Sequence, residues 1–150
     1  MRKITTLVVI AFFALTSISC SNDDDTTQNT PAVTDGFKWT DSSGSTVQTV
    51  DNPYVNGSFN SVFAVRAGVT IYEINLTSTA VGTYALGGSS SNALYYNSTG
   101  ALPTSFNPTS GSVEITANAN NKLTGTFTAT GTGGGVTSIS GSFTNIVINP

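Results

Sequence analysis

Residues Lys122 to Thr130 alternate without error. Leu123, Gly125, Phe127 and Ala129 fall on one side, and Lys122, Thr124, Thr126, Thr128 and Thr130 on the other. A period of two specifies a half-buried β-strand. In a helix the same apolar residues would be scattered around the cylinder. Ser112 to Ala117 repeats the pattern, with Val113, Ile115 and Ala117 inward and Glu114 outward. Asn118-Ala119-Asn120-Asn121 lies between the two segments, and Asn tolerates positive φ, so a hairpin is expected. Ile139-Ser140-Gly141-Ser142-Phe143 then repeats Leu123-Thr124-Gly125-Thr126-Phe127. In each copy a Gly stands two places before a Phe on the same face, which leaves room for a large cross-strand neighbour. After Phe143 the phase slips: Asn145 takes the inward position while Ile146 and Ile148 are apolar. That predicts a bulge near Thr144-Asn145, or a strand end that buries a new face.

Upstream, Asn60 to Arg66 and Val69 to Leu76 read as strands around Ala67-Gly68, apolar in part on both faces, as central strands are. Gly82 to Leu86 and Asn92 to Tyr96 are two more, and Phe37-Lys38-Trp39-Thr40 opens the sheet. Pro103 and Pro108 mark a loop or an edge. No window beyond residue 35 carries a helical apolar stripe. The expected fold is therefore all-β: eight or nine strands in an antiparallel meander, forming either a sandwich or a partly closed up-and-down barrel.

The residue supply excludes much chemistry. There is no His, and the only Cys is Cys20. This rules out a Ser-His-Asp triad, a Cys-His pair, a His-ligated zinc and a disulfide framework. Between Asp35 and Pro150 three cations face five carboxylates, a balance of −2, so no basic surface is expected to hold nucleic acid. A Ser/Thr-x-x-Lys dyad and a calcium-loop pattern are also missing, and no cofactor or metal is expected. Asp41 and Asp51 lie in turn contexts, where Asp bonds its own backbone. Glu114 reads as a solvated charge. Glu73, between Tyr72 and Ile74, would need a partner if buried, and Arg66 is the candidate across a hairpin. Trp39, Tyr95 and Tyr96 are candidate ligand contacts: Tyr95 and Tyr96 must place one ring on each face of their strand, although core packing is the favoured reading for Trp39 and most of the rings.

The first residues form a separate unit. Met1-Arg2-Lys3 is positive and Leu7 to Leu15 is continuously apolar, the plan of a secretory signal and too short for a settled membrane span. Thr16-Ser17-Ile18-Ser19-Cys20 resembles the lipobox of bacterial lipoproteins, with Ser17 standing where Leu is usual. The resemblance implies cleavage before Cys20 and a lipid on its sulfur. Asp23-Asp24-Asp25 resembles the acidic export tag of Bacteroidota lipoproteins, which implies an outer-membrane anchor facing the exterior. Asp25-Thr26-Thr27 resembles an O-glycosylation acceptor of the same bacteria. Thr26 to Thr34 is polar and cannot bury enough surface to order itself. The chain thus divides into a signal (1–19), a lipidated cysteine with acidic run and tether (20–34), and an all-β domain (35–150).

Gly82-Thr83-Tyr84-Ala85-Leu86, Gly111 to Thr116, Leu123 to Phe127 and Ile139 to Ile146 together resemble a family of small Bacteroidota lipoproteins known only as a domain of unknown function. Its motifs imply a fold and no reaction. The expected role is a non-enzymatic, lipid-anchored surface domain that is structural or binds a partner. A carbohydrate- or small-ligand-binding domain is the alternative. The membrane through Cys20 is the expected contact, with a glycan or protein partner left open.

Overall fold

The computed structural model describes residues 34–97 and 106–150, without the side chains of 45–47. The signal, Cys20, the acidic run, the tether and Pro103 lie outside the described residues. Ten strands form among them: β1 (Gly36–Asp41), β2 (Gly44–Thr49), β3 (Asn52–Asn56), β4 (Ser61–Arg66), β5 (Val69–Asn75), β6 (Gly82–Leu86), β7 (Ala93–Tyr96), β8 (Asn107–Ala119), β9 (Lys122–Thr132) and β10 (Ser138–Asn149). The main sheet runs β6-β8-β9-β10-β3-β4-β5-β7. A bridge between Tyr96 and Phe106 carries β7 back to the start of β8, so the sheet nearly closes into a barrel. The all-β expectation holds.

The pairing is less regular than a meander. β6 pairs with β8, and β7 pairs with β5. β10 meets β3 in parallel through Ile148–Val55 and Asn149–Asn56. β10 is therefore a fork. One edge pairs with β9 along its length. The other pairs first with β1, from Asp41–Ile139 to Gly36–Thr144, and then with β3. The bulge anticipated near Thr144-Asn145 makes the switch possible: the β9 ladder shifts between Phe143 and Ile146, and Asn145 sits at φ 52°. A residue in the left-handed region reverses the local backbone twist, and Asn accepts it at lower cost than most side chains.

Two strands escape the sequence pattern. β2 pairs only with β1, at the sheet's margin, and has no apolar alternation to show. β3 carries Pro53 and begins at Asn52, within the Asp51-Asn52-Pro53 stretch that reads as a turn. The β8–β9 turn is tighter than Asn118 to Asn121: Ala119 pairs with Lys122, and Asn120 and Asn121 alone span it at φ 53° and 59°. Positive φ at both central residues matches the twist of a two-residue hairpin. Ala117 is exposed rather than inward, because the β8–β9 ladder shifts between Ile115 and Ala117.

The two Gly-x-Phe copies explain each other. In the β9–β10 ladder Gly125 faces Phe143 and Gly141 faces Phe127. A Cβ on Gly125 would stand 2.6 Å from Phe143 Cζ, and one on Gly141 would stand 2.7 Å from Phe127 Cε1. Each ring thus lies over the other strand's glycine. Phe127 continues inward to Phe37 at 5.4 Å and to Tyr72 at 5.3 Å, centroid to centroid. Trp39, Tyr96, Phe106 and Phe143 complete an aromatic core in which none of these rings is more than 2% exposed. Val113, Ile115, Leu123 and Ile139 are buried around it as expected.

Candidate functional site

Two groups of polar and aromatic side chains stand out, one inside the barrel and one on its outer face. The inner group centres on Asp41, the last residue of β1, which is 8% exposed. Its Oδ1 accepts the Ser43 backbone N–H at 2.9 Å and the Ser43 hydroxyl. Its Oδ2 accepts the Tyr96 hydroxyl at 2.5 Å and Gln48 Nε2 at 3.4 Å. The Tyr96 ring stacks on Tyr72 at 4.5 Å, and Trp39 meets both edge-on at 6.1 and 5.2 Å. The Arg66 guanidinium lies 5.0 Å from the Trp39 ring centre and donates to Gln48 Oε1 and the Thr49 carbonyl.

Burial alone would raise the Asp41 pKa. Hydrogen bonds from the Ser43 hydroxyl, Tyr96 and the backbone N–H groups of Ser43 and Gly44 outweigh it and hold the carboxyl below its ordinary value. Burial, and then donation to Asp41, push Tyr96 up to about 12. The Trp39 indole N–H opposes that rise from nearby, yet makes no hydrogen bond of standard geometry. Tyr72 is raised further by burial, Tyr96 and Asp41, and its hydroxyl has no hydrogen-bond partner among the described residues. A carboxylate held ionised, beside two phenols held neutral, is a stable arrangement at neutral pH. It ties β1, β2 and β7 together, and β4 through Arg66.

The outer group lies across the four strands from β3 to β7. The register sets Tyr54 opposite Phe63, Phe63 opposite Glu73, and Glu73 opposite Tyr95. With strands about 4.8 Å apart, this row spans about 14 Å. Tyr54 and Phe63 stack on each other at 5.0 Å. Tyr95 is 46% exposed, while Tyr54, Phe63 and Glu73 are half-buried. Glu73 Oε1 accepts Asn75 Nδ2 at 3.0 Å, and Asn75 Oδ1 in turn accepts the Ser61 hydroxyl. The expected Glu73–Arg66 pair does not form. Register sets Arg66 opposite Val69, three residues away along the hairpin, and Arg66 turns to Gln48 and Trp39 instead.

The three rings proposed from sequence as ligand contacts separate accordingly. Trp39 and Tyr96 lie in the core at 1% and 2% exposure, whereas Tyr95 faces out. Sequence reading missed Phe63 and the row as a unit. The available signal was a strand apolar on both faces, and it was read as burial in the centre of a sheet. A shallow groove of about 330 Å³ beside Asp41 is lined chiefly by hydroxyls, among them Thr40, Ser110, Thr128, Thr130 and Ser140. Thr40 bonds Ser140 and Ser110 bonds Thr130, so these groups largely satisfy one another.

A family model described as a domain of unknown function, DUF6252, matches residues 54–147. The span begins inside β3 and ends inside β10, and so contains the whole outer row. No curated protein and no solved structure matches the chain.

Proposed function

This chain belongs to the DUF6252 family, a domain of unknown function, and we propose that it is a non-enzymatic, partner-binding β domain held at the outer membrane by a lipid on Cys20. The observation that carries the binding role is the outer row, which puts an exposed Tyr95 and two half-buried rings on one sheet face around a carboxylate. Surface aromatics gathered this way are the usual anchors of protein interfaces. The non-enzymatic reading draws support from the carboxylates. Asp41 has both oxygens engaged, and Glu73 and Glu114 stand on the outer faces of different strands. The anchor rests on the lipobox resemblance of Thr16 to Cys20.

The carbohydrate reading is weaker. Sugars stack on open ring faces, and Tyr54 and Phe63 cover one of each other's faces, while Trp39 and Tyr96 are buried.

A photo-crosslinking residue at position 95, carried on the cell-bound protein, tests the role. It should give a discrete protein adduct, and the same residue at Thr128, on the hydroxyl face, should give none. Adducts of equal yield from both positions, or Tyr95-dependent signals confined to a glycan array, would overturn partner binding. The anchor is checked separately. Cys20→Ala should accumulate as unlipidated precursor, and normal processing with membrane retention would remove the lipid from the proposal.

A further inference from the structure

Glu73 is a half-buried carboxylate set between two aromatic rings, and among the described residues its one hydrogen-bond partner is the neutral Asn75. We propose, building on the partner-binding role above, that Phe63, Glu73 and Tyr95 form a receptor for a cationic side chain, a lysine or arginine of a polypeptide partner.

The geometry suits that occupant. Phe63 and Tyr95 sit on the strands either side of Glu73, about 10 Å apart at the backbone. A cation held above Glu73 would stand one strand spacing, about 5 Å, from each of the strands that carry the two rings, close enough for either ring to turn toward it. The carboxylate would meet the same cation from below. Ser61 and Asn75 hold Glu73 in place: the Ser61 hydroxyl fixes the Asn75 amide, whose Nδ2 donates to Oε1 and leaves Oε2 for the incoming group. Tyr54, stacked behind Phe63, keeps that ring from folding over the carboxylate.

Charge points the same way. The cation nearest in sequence, Arg66, is engaged by Trp39 and Gln48. From Asp35 onward the domain has three cations against five carboxylates. Its own charge therefore favours a basic partner over an acidic one. The row is an open sheet face. A small free cation would gain only the ion pair and the two ring contacts, whereas an extended basic segment can lay further residues along the same strands.

The test is binding of a hexalysine peptide to the full chain, followed by calorimetry at about 0.15 M salt, where the Debye length is about 8 Å. Glu73→Gln should weaken binding about three- to fivefold. Tyr95→Ala should weaken it by several-fold and Tyr95→Phe should restore it. Glu114→Gln removes the same charge from β8, a strand that is not part of the row, and should change affinity by less than about twofold. Each variant's melting temperature separates lost binding from lost folding. Equal losses for Glu73→Gln and Glu114→Gln would reduce the effect to diffuse charge and overturn the receptor. Competition by choline as strong as by a lysine peptide would assign the site to a small cation. If hexalysine does not bind while a position-95 adduct persists, the cationic partner is wrong and partner binding stands. If neither occurs, both fall.

Discussion

Phe127→Ala is expected to remove about 3–5 kcal/mol of stability, seen as a lower urea midpoint with an unchanged slope. The ring is 1% exposed and touches Phe37 and Tyr72. Its loss should fall in the upper part of that range, because the residue facing it is Gly141, which has no side chain to move into the space. The reciprocal substitution supports the same reading. Gly141→Ala should be destabilising in the wild type by about 1–3 kcal/mol through overpacking, and less so once Phe127 has become Ala, since part of the clash is with that ring. The two substitutions are thus expected to couple. A loss below about 1.5 kcal/mol for Phe127→Ala, or strict additivity with Gly141→Ala, would mean that the rings do not lie over the glycines.

Asp41→Asn should cost about 1.5–3 kcal/mol at pH 7, since it replaces a charged acceptor of the buried Tyr96 hydroxyl and of the Ser43 and Gln48 donors with a neutral amide. It should also change how stability responds to acid. The folded Asp41 carboxyl is held below the ordinary value of 3.8, so the unfolded chain takes up its proton first as pH falls. The stabilisation is complete above about pH 4–5 and disappears as pH drops through the folded value. Tyr96 shows the opposite sign. Raised to about 12, it favours the folded state below its unfolded value of about 10, and that contribution is lost as pH climbs toward 12. With no His in the chain, a plateau between about pH 6 and 8 is expected. Urea midpoints of wild type and Asp41→Asn at pH 3, 4, 5 and 7 decide the matter. An acid slope unchanged by the substitution would show that Asp41 is not the group responsible.

The parts of the fold legible in the sequence are those where one face is buried and the other solvated. β9 announces itself because Thr and Lys fill its outer face, and the Gly-x-Phe copies anticipate a packing that register then supplies. The slip after Phe143 is readable for the same reason: Asn145 interrupts a strict alternation. β2 and β3 are not readable in this way. One lies at a margin and shows no apolar alternation in its sequence, and the other hides a Pro within five residues. The parallel β3–β10 contact depends on residues almost a hundred positions apart, which no local pattern encodes. The same limit applies to the candidate site. The Tyr95-Tyr96 pair alone shows that one of the two rings faces out, but which one, and the row it joins, need the register of four strands. Glu73 and Arg66 look like partners by spacing, and a register shift between Ala64 and Val65 helps to separate them.

The fork in β10 has a mechanical consequence. Any pull on the chain ahead of Gly36 acts first on β1, whose ladder with β10 opens from the Gly36–Thr144 end. A sideways tug meets those hydrogen bonds one after another and can peel them singly. A tug along the strand loads them all at once. In either direction the far end is fastened by Asp41, clamped to Ser43, Gln48 and Tyr96 of other strands and turns. The buried carboxylate is therefore a latch at the tip of a zipper, and the force that detaches the first strand is set by how firmly that latch holds.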